Sequence, residues 1–412
     1  MLACTVASHF TLAGEFSMKS WKRRLRYTCL ITCCFLLAGC WSSSPIEERN
    51  LEAGIALDAE PQKTETSVRE TQQQHPKYQI RRTVQFVLPE EASSSGSPSQ
   101  GNKFYNEEEL GDSIMEMTRE SYLSNQSPAG FHLKTIVISS ELLQKVPLQE
   151  LLDFYLADND IRLSILLLTS TGTASDVFKE MISGKTPAFM LKDLFDNRSH
   201  TNRLVKPVTL AKVIGPLKSR SSFVLPNVIR IRDGITLSGA GVIRGNTQKY
   251  EGYLNKMDVE GLQWITGDLT GGIVKGTDSR SQRNFVYEIK SAKSNIQAHV
   301  NKNDISFHVK ISSVGRLSES FVSDANKMKD QKLREEAGVV QDKIKELAQQ
   351  TVSKMKKMRV EVAHMGQALR IQHPDMWEQV KDHWDQVFAT VPVTFEVKVD
   401  IEDFGASTIT TN

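Results

Sequence analysis

The sequence predicts an α+β fold: two or three mixed domains, each a β-sheet with packed helices, behind a lipoprotein signal peptide. Three observations point there. A basic cluster runs into an apolar stretch that ends in cysteine, a strand–helix–strand pattern lies around residue 150, and the last third sets helices between alternating strands.

Lys19, Lys22, Arg23, Arg24 and Arg26 precede the apolar run Cys29 to Ala38, which closes on Leu37-Ala38-Gly39-Cys40. Basic residues, an apolar core and small residues, in that order, make a secretory signal, and the core is shorter than the ~20 residues of a permanent span. Leu-Ala-Gly-Cys resembles a bacterial lipobox. There the cysteine sulfur takes a diacylglycerol and the peptide is cut just before it, so Cys40 is the expected lipidation site. Two acyl chains give stable anchoring where one is marginal. Met18, directly before Lys19, is the expected start of the signal.

Of 412 residues, 51 are Lys or Arg and 49 Asp or Glu. Residues 1–39 hold five of the basic and one of the acidic side chains, which leaves 46 against 48 and a net −2 for the mature chain. A near-neutral balance gives no electrostatic case for nucleic acid. All five cysteines (4, 29, 33, 34 and 40) lie in or at the end of the signal. With Cys40 lipidated, the mature chain has no disulfide and no thiol metal site, and it folds by core burial alone. About 370 mature residues exceed one ordinary core. The expected division is a signal over 1–39, an N-terminal α/β domain over 40–206, a small glycine-rich β domain over 207–280 and a C-terminal α+β domain over 281–412.

In order, Ser42 to Pro45 is a polar spacer, and Ile46 to Asp58 reads as a turn or helix followed by a strand. Glu60 to Pro76 is a solvated loop. Tyr78, Ile80, Val84, Phe86 and Leu88 share one side of a period-two strand, and Pro89 to Asn102 is a second loop. A helix is expected from about Asn106, with Leu110, Ile114 and Met117 inward. Next come strand Lys134 to Ser139, helix Leu148 to Leu156 and strand Arg162 to Thr169. Leu148, Leu151, Leu152 and Tyr155 form one helical stripe, and both strands are near-continuous apolar runs suited to a sheet covered on both faces.

Between Arg203 and Pro226 the spacing of Leu204, Val208, Leu210 and Val213 predicts a helix or connector. Eight glycines from Gly239 to Gly272 then separate short apolar pieces, including Tyr253-Leu254 and Leu262 to Ile265, and read as short strands with tight turns. Phe285, Tyr287 and Ile289 make one strand face, and Ile305, Phe307, Val309 and Ile311 another. Val340, Ile344, Leu347, Met355 and Met358 mark a long helix. A second helix starts at Pro374, a residue suited to a first helical position, and buries Trp377, Val380, Trp384, Val387 and Phe388. Phe395, Val397, Val399 and Ile401 make the closing strand.

Four stretches carry a resemblance. Cys40-Trp41-Ser42 with Ile46, Glu48 and Gly54 to Asp58, then Ile136 to Ser139, then Ser238 to Trp264, then Pro374 to Trp377 with Trp384 and Phe388, follow one another as in the Ger(x)C family. These are the C-subunit lipoproteins of bacterial spore nutrient-germinant receptors, which the whole mature chain resembles. It departs from them at Ser43, Ser44 and Pro45, where charged residues are usual, and at Glu361 and His364, where Asp and Gly are. The resemblance implies a lipoprotein on the outer face of the spore inner membrane, a three-domain scaffold without known catalysis, and two integral membrane partners, the A and B subunits. It implies no cofactor beyond the diacylglycerol on Cys40.

Other motifs read as structure. Gly239 to Gly245 lacks the spacing of a dinucleotide loop, and Gly184-Lys185-Thr186 lacks the upstream glycine of a phosphate loop. His364 and His373 belong to no metal-spaced set, and no nucleophile elbow occurs. Trp377 and Trp384 have the spacing of core residues. Lys354, Lys356, Lys357 and Arg359 complement the negative end of their own helix or meet anionic lipid, the first reading being preferred. The leading function is thus a non-enzymatic receptor subunit. A lipid-anchored solute-binding protein is the alternative, and the unlike ends of the chain count against its two similar lobes.

Overall fold

The computed structural model describes Tyr27 and residues 50–61, 78–87, 104–124, 128–179, 184–278, 282–320 and 329–404. The rest of the signal, Cys40, the spacer and most of both expected loops lie outside these. From Asn50 on, the chain is one compact unit.

Strand β1 (Asn50–Pro61) pairs antiparallel with β2 (Tyr78–Val87), and β2 with the edge strand β3 (Phe104–Gly111). Here the expected helix gives way. Asn106 lies opposite Gln85 in the sheet, Leu110 is exposed, and the helix α1 (Ile114–Ser121) begins only after Ser113, whose side chain accepts the Glu116 N–H. Arg82 on β2 is buried and bonded to Glu52 (3.2 Å), Glu109 (3.1 Å) and Thr118 (2.8 Å), and burial raises the Glu52 pKa.

β4 (Pro128–Ala129) lies beside Asn50 and Leu51. The strand–helix–strand unit follows as predicted: β5 (Thr135–Ser139), α2 (Ser140–Lys145), α3 (Leu148–Ala157) and β6 (Leu166–Ser170). β6 starts four residues later than expected, since the Ile165 N–H bonds the Arg162 carbonyl in a turn. β1, β5 and β6 run parallel, and every residue of β5 and β6 is buried. One core cluster, with Ile55, Ile136, Leu151 and Tyr155, covers one face, and a second, with Ala56, Val137, Phe178 and Leu191, covers the other.

After α4 (Pro187–Asp193), α5 (Leu210–Ser219) fills the expected helix and leads into β7 (Phe223–Ile231), β8 (Gly234–Ile243) and β9 (Tyr250–Leu254). These extend the sheet to nine strands, in the order β3-β2-β1-β5-β6-β7-β8-β9 with β4 against β1. The piece Leu262 to Ile265 is no strand. It lies in helix α6 (Lys256–Thr266), which a reciprocal cap between Asn255 and Asp258 starts and Gly267 at φ 72° ends.

The second sheet has the order β10-β11-β12-β13, from β10 (Ile273–Thr277) through the long hairpin β11 (Asn284–Asn301) and β12 (Asp304–Ser320). Helix α7 (Lys329–Met358) is the long helix expected. The region after it divides into α8 (Met365–Gln372), α9 (Pro374–Val380) and α10 (Trp384–Thr390), not one helix from Pro374. β13 (Val393–Phe404) then returns parallel to β12. α6 packs on α7 so closely that a Cβ on Gly261 would lie 2.2 Å from Thr351 Oγ1 and 2.5 Å from the Leu347 carbonyl oxygen. Ala240, Val242 and Leu254 of the first sheet share one core with α6, α7 and the second sheet.

Candidate functional site

The residues that join the two sheets surround a cleft of about 860 Å³, with Pro216, Arg220 and Asn246 on one wall and Glu361, His364, Arg370 and Trp377 on the other. Arg244 holds the walls together. It sits in the turn after β8, closed by bonds between its own backbone and those of Gln248 and Lys249. Its Nε donates to Glu251 Oε2 (2.9 Å), Nη1 to Asp385 Oδ2 (2.9 Å) and the Arg359 carbonyl (2.9 Å), and Nη2 to the Met358 carbonyl (3.1 Å). One guanidinium fork thus ties the first sheet to the end of α7 and to α10. A planar fork suits four fixed acceptors as a single ammonium point charge does not. The bond to Glu251 leads the causes that hold Arg244 above its usual pKa. Burial pushes the Asp385 carboxyl up against the pull of Arg244.

Glu361 is buried, with its carboxylate turned into the start of α8. Oε1 accepts the Ala363 N–H, and Oε2 accepts the Gly366 N–H (2.9 Å) and the Trp384 indole N–H (3.3 Å). The first turn of α8 therefore carries its own anion. Gly366 must be glycine, since a Cβ there would lie 2.8 Å from Trp384 Nε1 and 3.2 Å from the Trp377 ring. The two indoles meet edge to face at 5.6 Å, and Trp384 also packs against Phe388 and Phe307. Arg220 (φ 51°) and His364 (φ 66°) line the cleft in the left-handed conformation, and Arg359 (φ 51°) adjoins it in the same state. Such backbone costs on the order of 1 kcal/mol each and persists where the surroundings over-determine it.

Trp384 is buried and Trp377 half-buried, so packing dominates, yet both border the cleft. Glu361 and His364, two of the departures from the family pattern, are also cleft residues. His373 contacts the Ala298 carbonyl through Nε2 (3.1 Å). The basic run divides: Lys354 pairs with Asp258, Lys356 bonds the Val391 carbonyl, and Lys357 and Arg359 are exposed. Burial lowers the Lys356 pKa. Gly239 and Gly241 lie within β8, and Lys185 pairs with Asp193 (2.7 Å). Among the described residues no group of three or more His, Cys, Asp or Glu is placed to hold a metal, and no helix is long and apolar enough to cross a membrane. Sequence reasoning missed Arg244 and Asp385, whose pairing spans 141 residues and leaves no local pattern.

Comparison with known proteins gives two adjoining family matches. Residues 42–230 match the spore germination protein N-terminal domain, and residues 238–405 the C-terminal domain described as spore germination B3/GerAC like. The chain is 36% identical over 403 residues to spore germination protein YndF of Bacillus subtilis (strain 168), covering 94% of this chain and 99% of that protein. To spore germination protein B3 of the same organism it is 24% identical, covering 90% and 95%. The crystal structure of the GerBC protein shares the fold at a TM-score of 0.57 and 20% identity, covering 86% of this chain and 99% of that one.

Proposed function

This chain belongs to the GerAC-like family of spore germination proteins, and from that premise we propose that it works in spore germination as a non-catalytic subunit of a nutrient-germinant receptor. In this reading a diacylglycerol on Cys40 holds it at the outer face of the spore inner membrane, beside two integral membrane partners. The observation that carries the reading is the order and extent of the two family matches, which together take in 42–230 and 238–405.

The geometry suits a subunit that transmits rather than converts. Arg244 bonds both its own sheet and the α7–α10 corner, so a displacement of either is resisted by the other. Packed units of this kind shift between discrete arrangements rather than bend smoothly. A solute-binding clamshell needs two similar lobes. Here a nine-stranded, partly parallel sheet faces a four-stranded one of different topology.

The test is dipicolinate release from spores that lack this chain, rescued with wild type or with Cys40→Ala. Loss of response to a nutrient class, restored by wild type and not by Cys40→Ala, is the expected result. A normal response to every nutrient in the deletion spores would refute the reading.

A further inference from the structure

The parallel strands of the first sheet begin at one common end, and the described chain enters there. Asn50 and Leu51 lie beside Pro128 and Ala129, the Lys134 N–H bonds the Ala53 carbonyl (2.9 Å), and the Lys134 carbonyl accepts the Leu166 N–H (2.8 Å). Three cations gather at this end: Lys134 just before β5, Arg162 in the turn before β6, and Lys192 in the last turn of α4. Arg162 and Lys192 are exposed and Lys134 is half-buried. None of the three has an ion-pair partner among the described residues. Burial, then the charges of Arg162 and Lys192, hold the Lys134 pKa down, and burial followed by Lys134 and Arg162 does the same to His132.

Acidic neighbours are present but turned to other work. Asp158 accepts the Asp160 N–H (2.8 Å) in the turn ahead of Arg162, and Asp193 is closed on Lys185, which leaves the exposed Asp160 carboxylate, two residues before Arg162, as the acidic group set against the three cations. Next to Arg162, Leu163 is exposed. Unpaired cations on aliphatic stems beside an exposed leucine suit the boundary between headgroups and acyl chains.

We infer that this end of the first sheet is a membrane-facing surface, on which Lys134, Arg162 and Lys192 meet the phosphates of anionic lipid while Leu163 enters the headgroup layer. The orientation rests on the proposed lipid at Cys40. Nine residues, 41–49, lie between Cys40 and Asn50, and the ten Cα steps of a fully extended chain reach at most about 35 Å. From Asn50 to Ala53, opposite Lys134, is three strand residues, or roughly 10 Å. The cluster thus lies within about 45 Å of chain from such an anchor, close enough for both to meet one bilayer. A layer of like phosphates relieves the mutual repulsion of the three cations.

The test uses the unlipidated chain from Trp41 onward, which keeps the whole compact unit. It is sedimented with vesicles of phosphatidylcholine, with and without phosphatidylglycerol. Binding should require phosphatidylglycerol and fade at high salt. Each of K134Q, R162Q and K192Q should weaken partitioning about fivefold, and the triple variant about a hundredfold, without a change in melting temperature. A control with Lys293, Lys310 and Lys357 changed to Gln should bind as wild type. Equal binding to both vesicle types, an unaffected triple variant, or a loss confined to the control would overturn the inference. The mass of the membrane-extracted full-length protein reads lipidation at Cys40 independently, so a failed anchor and a failed surface give different results.

Discussion

Replacing Arg244 with alanine removes four hydrogen bonds from one guanidinium. The Glu251 pair is about one-third exposed on its acidic side and counts as a surface pair, worth about 0–1 kcal/mol. Asp385, with 15% of its side chain exposed, loses its cation and keeps the Glu361 N–H at 3.4 Å. The Met358 and Arg359 carbonyls lose a charged donor. Breaking a fully buried pair costs about 3–5 kcal/mol, and discounting for the water that reaches Arg244 leaves about 2–4 kcal/mol for the substitution. Urea denaturation followed by tryptophan fluorescence suits the measurement, because Trp377 and Trp384 stand at the same corner. Arg244→Lys should recover less than half the loss, since one ammonium cannot span four acceptors. A double-mutant cycle with Asp385→Asn should show about 1–2 kcal/mol of coupling. A loss below about 1 kcal/mol in Arg244→Ala, or full rescue by lysine, would refute the idea that this fork joins the sheets.

Two further substitutions probe packing and charge. Gly261→Ala places a methyl against the Leu347 carbonyl and Thr351 of α7, and should cost about 2–3 kcal/mol by urea denaturation; an unchanged midpoint would mean that α6 and α7 move apart freely. Glu336 on α7 is buried, neither carboxylate oxygen has a hydrogen-bond partner among the described residues, and burial raises its pKa above 4.5. The folded state therefore holds the proton to higher pH than the unfolded state does, and this contribution to stability, complete below pH 4.5, is lost as pH rises through the raised value. Glu336→Gln should stabilise the protein at neutral pH by about 1 kcal/mol and by less at about pH 4. Equal gains at both pH values would contradict that account.

The elements legible in the sequence are those whose pattern is local. The stripe Leu148, Leu151, Leu152 and Tyr155 is buried in α3 as its spacing requires, and in the closing strand Phe395 and Val399 are buried while Glu396 and Lys398 are exposed. Helix α6 was misread because Gly252, Gly261 and Gly267 look like turn residues. Only Gly267 ends an element there, and Gly261 is small because α7 leaves no room. The signal that finds this helix is Asn255 followed three residues on by Asp258. In β3, pairing with β2 overrides a weak helical spacing, and that pairing is invisible without the partner strand.

Charge was legible as composition but not as use. Lys354 and Lys356 stand one turn from the end of α7, where a helix dipole accounts for them, yet they reach Asp258 and the Val391 carbonyl on other elements. The membrane-facing cations pose the opposite case. Lys134, Arg162 and Lys192 stand about thirty residues apart, so no basic run announces them. That interval is the length of a strand–helix–strand crossover, roughly 30 residues. Parallel strands return the chain to the same end of the sheet once per crossover. Residues that recur at that interval just before or after such elements collect into one surface, and a search for cationic surfaces in proteins with parallel sheets has to be made at that spacing as well as along the chain.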